Sequence, residues 1–216
     1  QALKISLSVI EEEFKTYIQK KESITYNKEN KEFDIKEHYY FYALELYSRA
    51  ISNDAKHDFS KLLLELIKKE GLELLTWSKK AIELQNRVNF INENMNNDFP
   101  TFTNDILLET LELWLEPYLQ NITTVKELEA LDIYSILLGI IPWEKQQLLE
   151  TLAPESIKVP SGSNINIDYS NPKNPILAVK IQEIFGLSVT PKILNNTIAL
   201  QIHLLSPALR PIQITN

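Results

Sequence analysis

The sequence has no cysteine, one methionine, four glycines and no proline before Pro100. Without cysteine there is neither a disulfide framework nor a thiolate metal site. With four glycines there is no glycine-rich phosphate loop: neither GxxxxGKS/T nor GxGxxG occurs. The nucleophile elbow GxSxG and the zinc motif HExxH are also missing. No apolar run approaches about 20 residues, so no segment reads as a membrane-spanning helix. No charged-then-apolar leader opens the chain. The three histidines, His38, His57 and His203, fall in separate segments and do not form a catalytic trio. The residues themselves therefore point away from a self-contained enzyme. Gln1 stands first, and "IQIT" is followed only by Asn216. Both ends read as cuts through a longer protein, and the closing strand is expected at a sheet edge.

What the chain does contain is ordinary for a soluble protein able to bury a core: 44% hydrophobic and 24% charged residues over 216 positions. The net charge of −7 argues against a strong, self-sufficient nucleic-acid binder, because phosphate affinity needs Lys and Arg. That charge is uneven. Residues 61–150 hold 8 basic and 15 acidic groups, while residues 151–216 hold 5 basic and 3 acidic ones. The last segment is the least hostile to a polyanion.

Periodicity sets three modules: a small β-α-β hairpin module over 1–58, a helical module over 59–153 and a β-rich module over 154–216. The class is α+β, a central multi-helix module flanked by two small antiparallel β-rich modules, with an OB-like barrel as one form for the β part. "ALKISLSVI" alternates like a strand. "EEEFKTYIQKK" reads as a helix capped by Ser8, with three glutamates in its first turn. Those glutamates read as solvated first-turn charge rather than a metal cluster. "ESITY" and "KEFDIKEHYYFYALELYSRAI" form a hairpin continuing into a long strand, with strand against helix undecided near residue 45. His38 among aromatics brings base stacking to mind, and a packed sheet face explains it more simply.

Helices follow from Phe59 to Gly71, with Leu62, Leu63, Leu66 and Ile67 on one face. The next is capped by Ser78, with Ile82, Val88 and Ile91 inward and Arg87 either structural or facing a partner. Another runs from about Asn104 to Pro117. Short helices then lead to Pro154. Beyond it, "IKVP-SGSN-INIDY" reads as a hairpin and "ILAVKIQEIFGL" as a strand turning helical at Ile181. "TIALQIHLL" and "IQIT" read as strands.

Five blocks carry a resemblance: "WLEPYL" at 114–119, "IPWEKQQLLETLAP" at 141–154, "VPSGSNINIDYS" at 159–170, "PILAVKIQEIFGL" at 175–187 and "LLSPALRPIQIT" at 204–215. In order and spacing they resemble the C-terminal region of the HrpB family, bacterial ATP-dependent helicases of the DEAH/DExH class. "GLELLTWSKKAIELQNRVNFI" at 71–91 fits as well. The resemblance implies an accessory piece of a cytoplasmic RNA helicase whose ATP and Mg belong to motor domains outside this sequence. It carries over no catalytic residue and implies no cofactor within the chain.

The partners implied are RNA or another single-stranded nucleic acid, bound weakly, and the helicase's own motor domains. No membrane is implied. The expected contacts to nucleic acid are Lys158, Ser161, Ser163, Lys180, Lys192, His203, Ser206, Arg210 and Gln213. Arg210, bracketed by Pro207 and Pro211, leads the set because a guanidinium fork suits phosphate. An ion pair with Asp168 or Glu183 is its alternative role. Tyr169 and Phe185 read as core rather than stacking residues. A docking or spacer module with no nucleic-acid binding is the competing reading, resting on the acidic helical middle.

Overall fold

The computed structural model describes residues 6–51, 58–95 and 99–215. In chain order it contains α1 (Leu7–Glu13), β1 (Ile18–Asn27), β2 (Glu32–Phe41), β3 (Leu44–Ala50), α2 (Ser60–Glu70), α3 (Lys79–Asn94), α4 (Asn104–Glu109) and α5 (Leu111–Trp114). There follow α6 (Val125–Glu129), α7 (Ile133–Ile140), α8 (Trp143–Leu152), β4 (Ser156–Lys158), β5 (Asn164–Asp168) and β6 (Ile176–Lys180). Last come β7 (Lys192–Ile193), β8 (Ile198–Ala199), β9 (Gln201–Leu205) and β10 (Pro211–Thr215). The α+β class is as expected, with helices in the middle of the chain and sheets toward its ends. No helix among the described residues is long and apolar enough to cross a membrane. The chain divides into two compact units, 1–76 with 111–131, and 77–110 with 132–216.

In the first unit the expected opening strand is overturned. Residues 7–13 are helical, and Ala2–Ile5 lie outside the described residues. The alternation of "LSV" has no sheet partner to bury it, and Leu7 and Val9 stay exposed. The cap position belongs to Ser6 rather than Ser8, and the three glutamates fall in the last turn instead of the first. β1 and β2 pair antiparallel from Ile18↔Phe41 to Asn27↔Glu32. Their turn is tied by Asn27 Oδ1, which accepts from the Glu29 N–H at 2.9 Å. The expected long strand instead folds at Tyr42–Ala43, so residue 45 lies in β3.

Phe33, Ile35 and Glu37 point to the buried face of β2. Glu37 is buried there with three donors: Lys20 Nζ at 2.5 Å, Arg49 Nε at 2.6 Å and the Tyr39 hydroxyl at 2.8 Å. Lys20 first, then Arg49 and Tyr39, hold its carboxyl at about 2, below the ordinary 4.5.

α2 lies against β1 and buries Leu63, Leu64, Leu66 and Ile67. Gly71, at φ 100°, ends it, a conformation open to glycine. The stretch 111–131 adds buried Leu111, Trp114, Leu115, Leu119 and Leu128. The single helix expected from Asn104 to Pro117 is broken at Thr110, whose hydroxyl donates back to the Ile106 carbonyl at 2.6 Å. Pro117 then sits inside a 3-10 turn, Glu116–Tyr118. A capping box starts α6, with Thr124 and Glu127 bonding each other's backbone N–H.

In the second unit Ser78 caps α3 as expected, accepting from the Ala81 N–H at 3.2 Å. Val88 and Ile91 are fully buried, but Ile82, expected inward, is 44% exposed. Arg87 is buried and structural. Its Nε donates to the Ala153 carbonyl at 2.6 Å, and its two remaining nitrogens reach Glu155 at 3.2 Å and Glu150 at 2.7 Å. It ties α3 to the end of α8 and the start of β4.

The main sheet has the order β10-β9-β6-β5-β4, with β6 and β9 parallel and the other neighbours antiparallel. β10 is at an edge, as expected, and β4 is at the other. No strand pair closes this sheet into a barrel among the described residues.

Candidate nucleic-acid interface

The register of the main sheet decides which expected contact residues meet. β5 and β6 pair at Ile167↔Leu177 and Asp168↔Ile176. The same register continues to the hairpin turn after β4, where the Ser161 N–H donates to the Glu183 carbonyl at 3.2 Å. The β4–β5 turn therefore sits beside the C-terminal end of β6. Because β9 runs parallel to β6, with Lys180↔Leu205, the β9–β10 hairpin emerges at that same end. Lys158, Ser161, Ser163, Lys180, Ser206 and Arg210 are thus gathered at one end of one sheet. Strands stand about 4.8 Å apart, so the row from Lys158 on β4 to Lys180 on β6 spans roughly 10 Å.

Lys158, Lys180 and Arg210 make no ion pair among the described residues. The ion pair of Arg210 with Asp168 or Glu183 is thus not formed. Asp168 instead accepts from the Ser170 N–H at 2.8 Å, and Glu183 meets the Ser161 hydroxyl at 3.3 Å. The Arg210 backbone is fixed by its hairpin: its N–H donates to Ser206 Oγ at 3.1 Å, and its carbonyl accepts from the Ser206 N–H at 2.8 Å. The guanidinium is left exposed.

The remaining expected residues are placed differently. The N–H groups of the Ser161–Ser163 turn have acceptors inside the chain: Glu183 O, Val159 O and Ser161 Oγ. This turn offers hydroxyls, not a nest of free amides. His203 lies mid-sheet beside Gln201, its Nε2 3.2 Å from Gln201 Oε1. Gln213 is on the edge strand β10, opposite Leu204. Lys192 is on the separate β7–β8 ribbon.

Residues 114–216 match the family model for the ATP-dependent helicase C-terminal region, HrpB_C. The ATP-dependent RNA helicase HrpB of Escherichia coli (strain K12) is 35% identical over 169 residues, which is 76% of this chain and 20% of that protein. The chain belongs to the C-terminal region of the HrpB-like helicases. A crystal structure of the E. coli DExH-box NTPase HrpB superposes with a TM-score of 0.74 at 28% identity, over 99% of this chain and 26% of that one. A second, of the Escherichia coli DEAH/RHA helicase HrpB, gives 0.71 at 28% identity over 93% and 25%. The chain therefore spans about a fifth of its curated HrpB relative and about a quarter of the crystallised chains.

In this HrpB-like region two aromatics part company. Tyr169 is core, as expected: it packs on Phe90 with centroids 5.0 Å apart and donates its hydroxyl to the Pro154 carbonyl at 2.8 Å. Burial pushes its hydroxyl pKa upward. Phe185, also expected in the core, is 69% exposed. It follows directly after the 3-10 turn Ile181–Ile184 that continues β6, so it belongs to the same sheet end as Lys180. Its neighbour Gly186 follows the turn at φ 90°, a conformation open to glycine. No group of three or more histidine, aspartate and glutamate side chains fit to hold a metal occurs among the described residues, Glu11–Glu13 included.

Proposed function

We propose that this chain is the accessory, nucleic-acid-contacting part of an HrpB-like ATP-dependent RNA helicase, bracing motor domains that would supply ATP and Mg. The observation that supports the contact is the sheet end itself. Three cations, Lys158, Lys180 and Arg210, come together there from β4, β6 and the β9–β10 hairpin without carboxylate partners among the described residues. Serine hydroxyls and the exposed Phe185 ring accompany them. Such a set suits a phosphate backbone with one unstacked base beside it.

The test is a titration of labelled single-stranded RNA against the chain and against a Lys158→Ala, Lys180→Ala, Arg210→Ala variant over a range of salt. Three lost backbone contacts reduce the slope of log affinity against log salt by about two. An unchanged slope defeats the assignment. The competing reading, a protein-docking or spacer module, draws on the acidic stretch 61–150. It predicts no RNA binding even at low salt.

A further inference from the structure

A second surface, in the first unit, is unexplained by the sheet end. At the Tyr42 end of the β1–β3 sheet, Tyr17 and Tyr42 stack with centroids 6.0 Å apart and planes at 24°. Phe41 meets Tyr42 edge-on at 4.9 Å, and Phe14 meets Phe41 edge-on at 5.5 Å. These rings are not sealed in a core: Tyr42 is 68% exposed and Tyr17 53%. Three of the four large apolar side chains left exposed between Phe14 and Leu44 are aromatic, which favours flat stacking over a greasy docking patch.

Two further features point to a ligand. Tyr42 has φ 54° at the first position of a two-residue turn, a place that favours glycine. A bulky ring is thus held in a left-handed backbone, as Lys31, Leu194 and Leu209 are at other turns. Charges of both signs around the tip lack ion-pair partners among the described residues, Glu11–Glu13 as well as two lysines. Glu37 is held by Lys20 and Arg49, and Glu45 by His38 at 3.0 Å. Lys15 and Lys21 have no carboxylate partner among the described residues, and Lys21 Nζ lies 5.6 Å over the Tyr40 ring.

We infer that this tip is a base-stacking platform for single-stranded nucleic acid, its exposed rings taking unpaired bases while Lys15 and Lys21 meet the backbone. It deepens the proposed function and rests on it, since both surfaces would hold the same polymer. Recognition is by π-face and charge, so it is indifferent to base sequence.

The experiment uses the whole chain and a short oligoribonucleotide carrying 5-iodouridine, photocrosslinked and mapped by mass spectrometry. Binding is measured in parallel for Tyr42→Gly, Tyr17→Ala and Tyr17→Phe. Glycine adopts the Tyr42 backbone conformation freely, so that variant keeps the turn while losing the ring. The expected result is crosslinks at Tyr17 or Tyr42, affinity about ten-fold weaker in Tyr42→Gly and Tyr17→Ala with an unchanged salt slope, and affinity retained in Tyr17→Phe. Full affinity in the ring-deleted variants, with crosslinks confined to 158–210, overturns the platform and leaves the sheet-end reading standing. The same holds if the rings prove to retain a protein while RNA binding is unaffected. No binding by the unaltered chain at low salt overturns both.

Discussion

Glu37 and Arg87 show how a single charged side chain can organise a unit. The Glu37 carboxyl, held at about 2 against an ordinary 4.5, is favoured in its charged form by the folded sheet. The unfolded chain binds that proton first as pH falls. The stability it contributes is therefore present in full above about 4.5 and is lost progressively toward about 2. Glu37→Gln is expected to lower the urea midpoint near neutral pH and to flatten its decline across that acid window, read by tyrosine fluorescence. Arg87→Met keeps the aliphatic stem but strips the donors from the buried Ala153 carbonyl, and is expected to cost about 2–4 kcal/mol in denaturant unfolding. Sequence left Arg87 open between structure and partner, because its acceptors stand more than sixty positions away, at Ala153, Glu150 and Glu155. Phe185 differs for a related reason: an aromatic in an apolar run reads as core, whereas in the fold it follows the turn Ile181–Ile184 and is exposed.

At the scale of elements, local rules carried most of the reading. Ser78 and Gly71 mark their helix ends, the Asn-rich turn makes its hairpin, and Ile181 begins the helical turn after β6. Replacing Ser78 by Ala is expected to destabilise the second unit by about 1 kcal/mol in denaturant titration. The failures came where a neighbour decided the outcome. Residues 7–13 lack a strand to pair with, and the helix expected through Thr110 breaks where chain membership passes from one unit to the other. The sheet-end cluster was legible as a residue set but not as a place, since it takes the parallel β6–β9 pairing to bring Lys180 and Arg210 to one side. β10 is an edge strand with Ile212 and Ile214 both exposed. Such an edge invites pairing with another copy. Ile214→Lys is expected to reduce any concentration-dependent self-association seen by sedimentation velocity.

For the molecule as a whole, charge and motif content set the expectations. With no phosphate loop in its sequence, the purified chain is expected to turn over no ATP in a coupled assay. Activity that persists through further purification would overturn that. Its negative balance, concentrated in residues 61–150, predicts weak RNA affinity that falls with salt. The two units interleave along the chain, 1–76 with 111–131 and 77–110 with 132–216. That arrangement fixes an order of events on the ribosome. At about 5–20 residues per second, the earlier-starting body cannot close until residue 131 has emerged, by which time the helix from Lys79 is already outside and waiting for strands not yet made. Each half-built body must hold its apolar surface in check while the other is still being made, so a pause in translation anywhere between 77 and 131 would leave both incomplete at once.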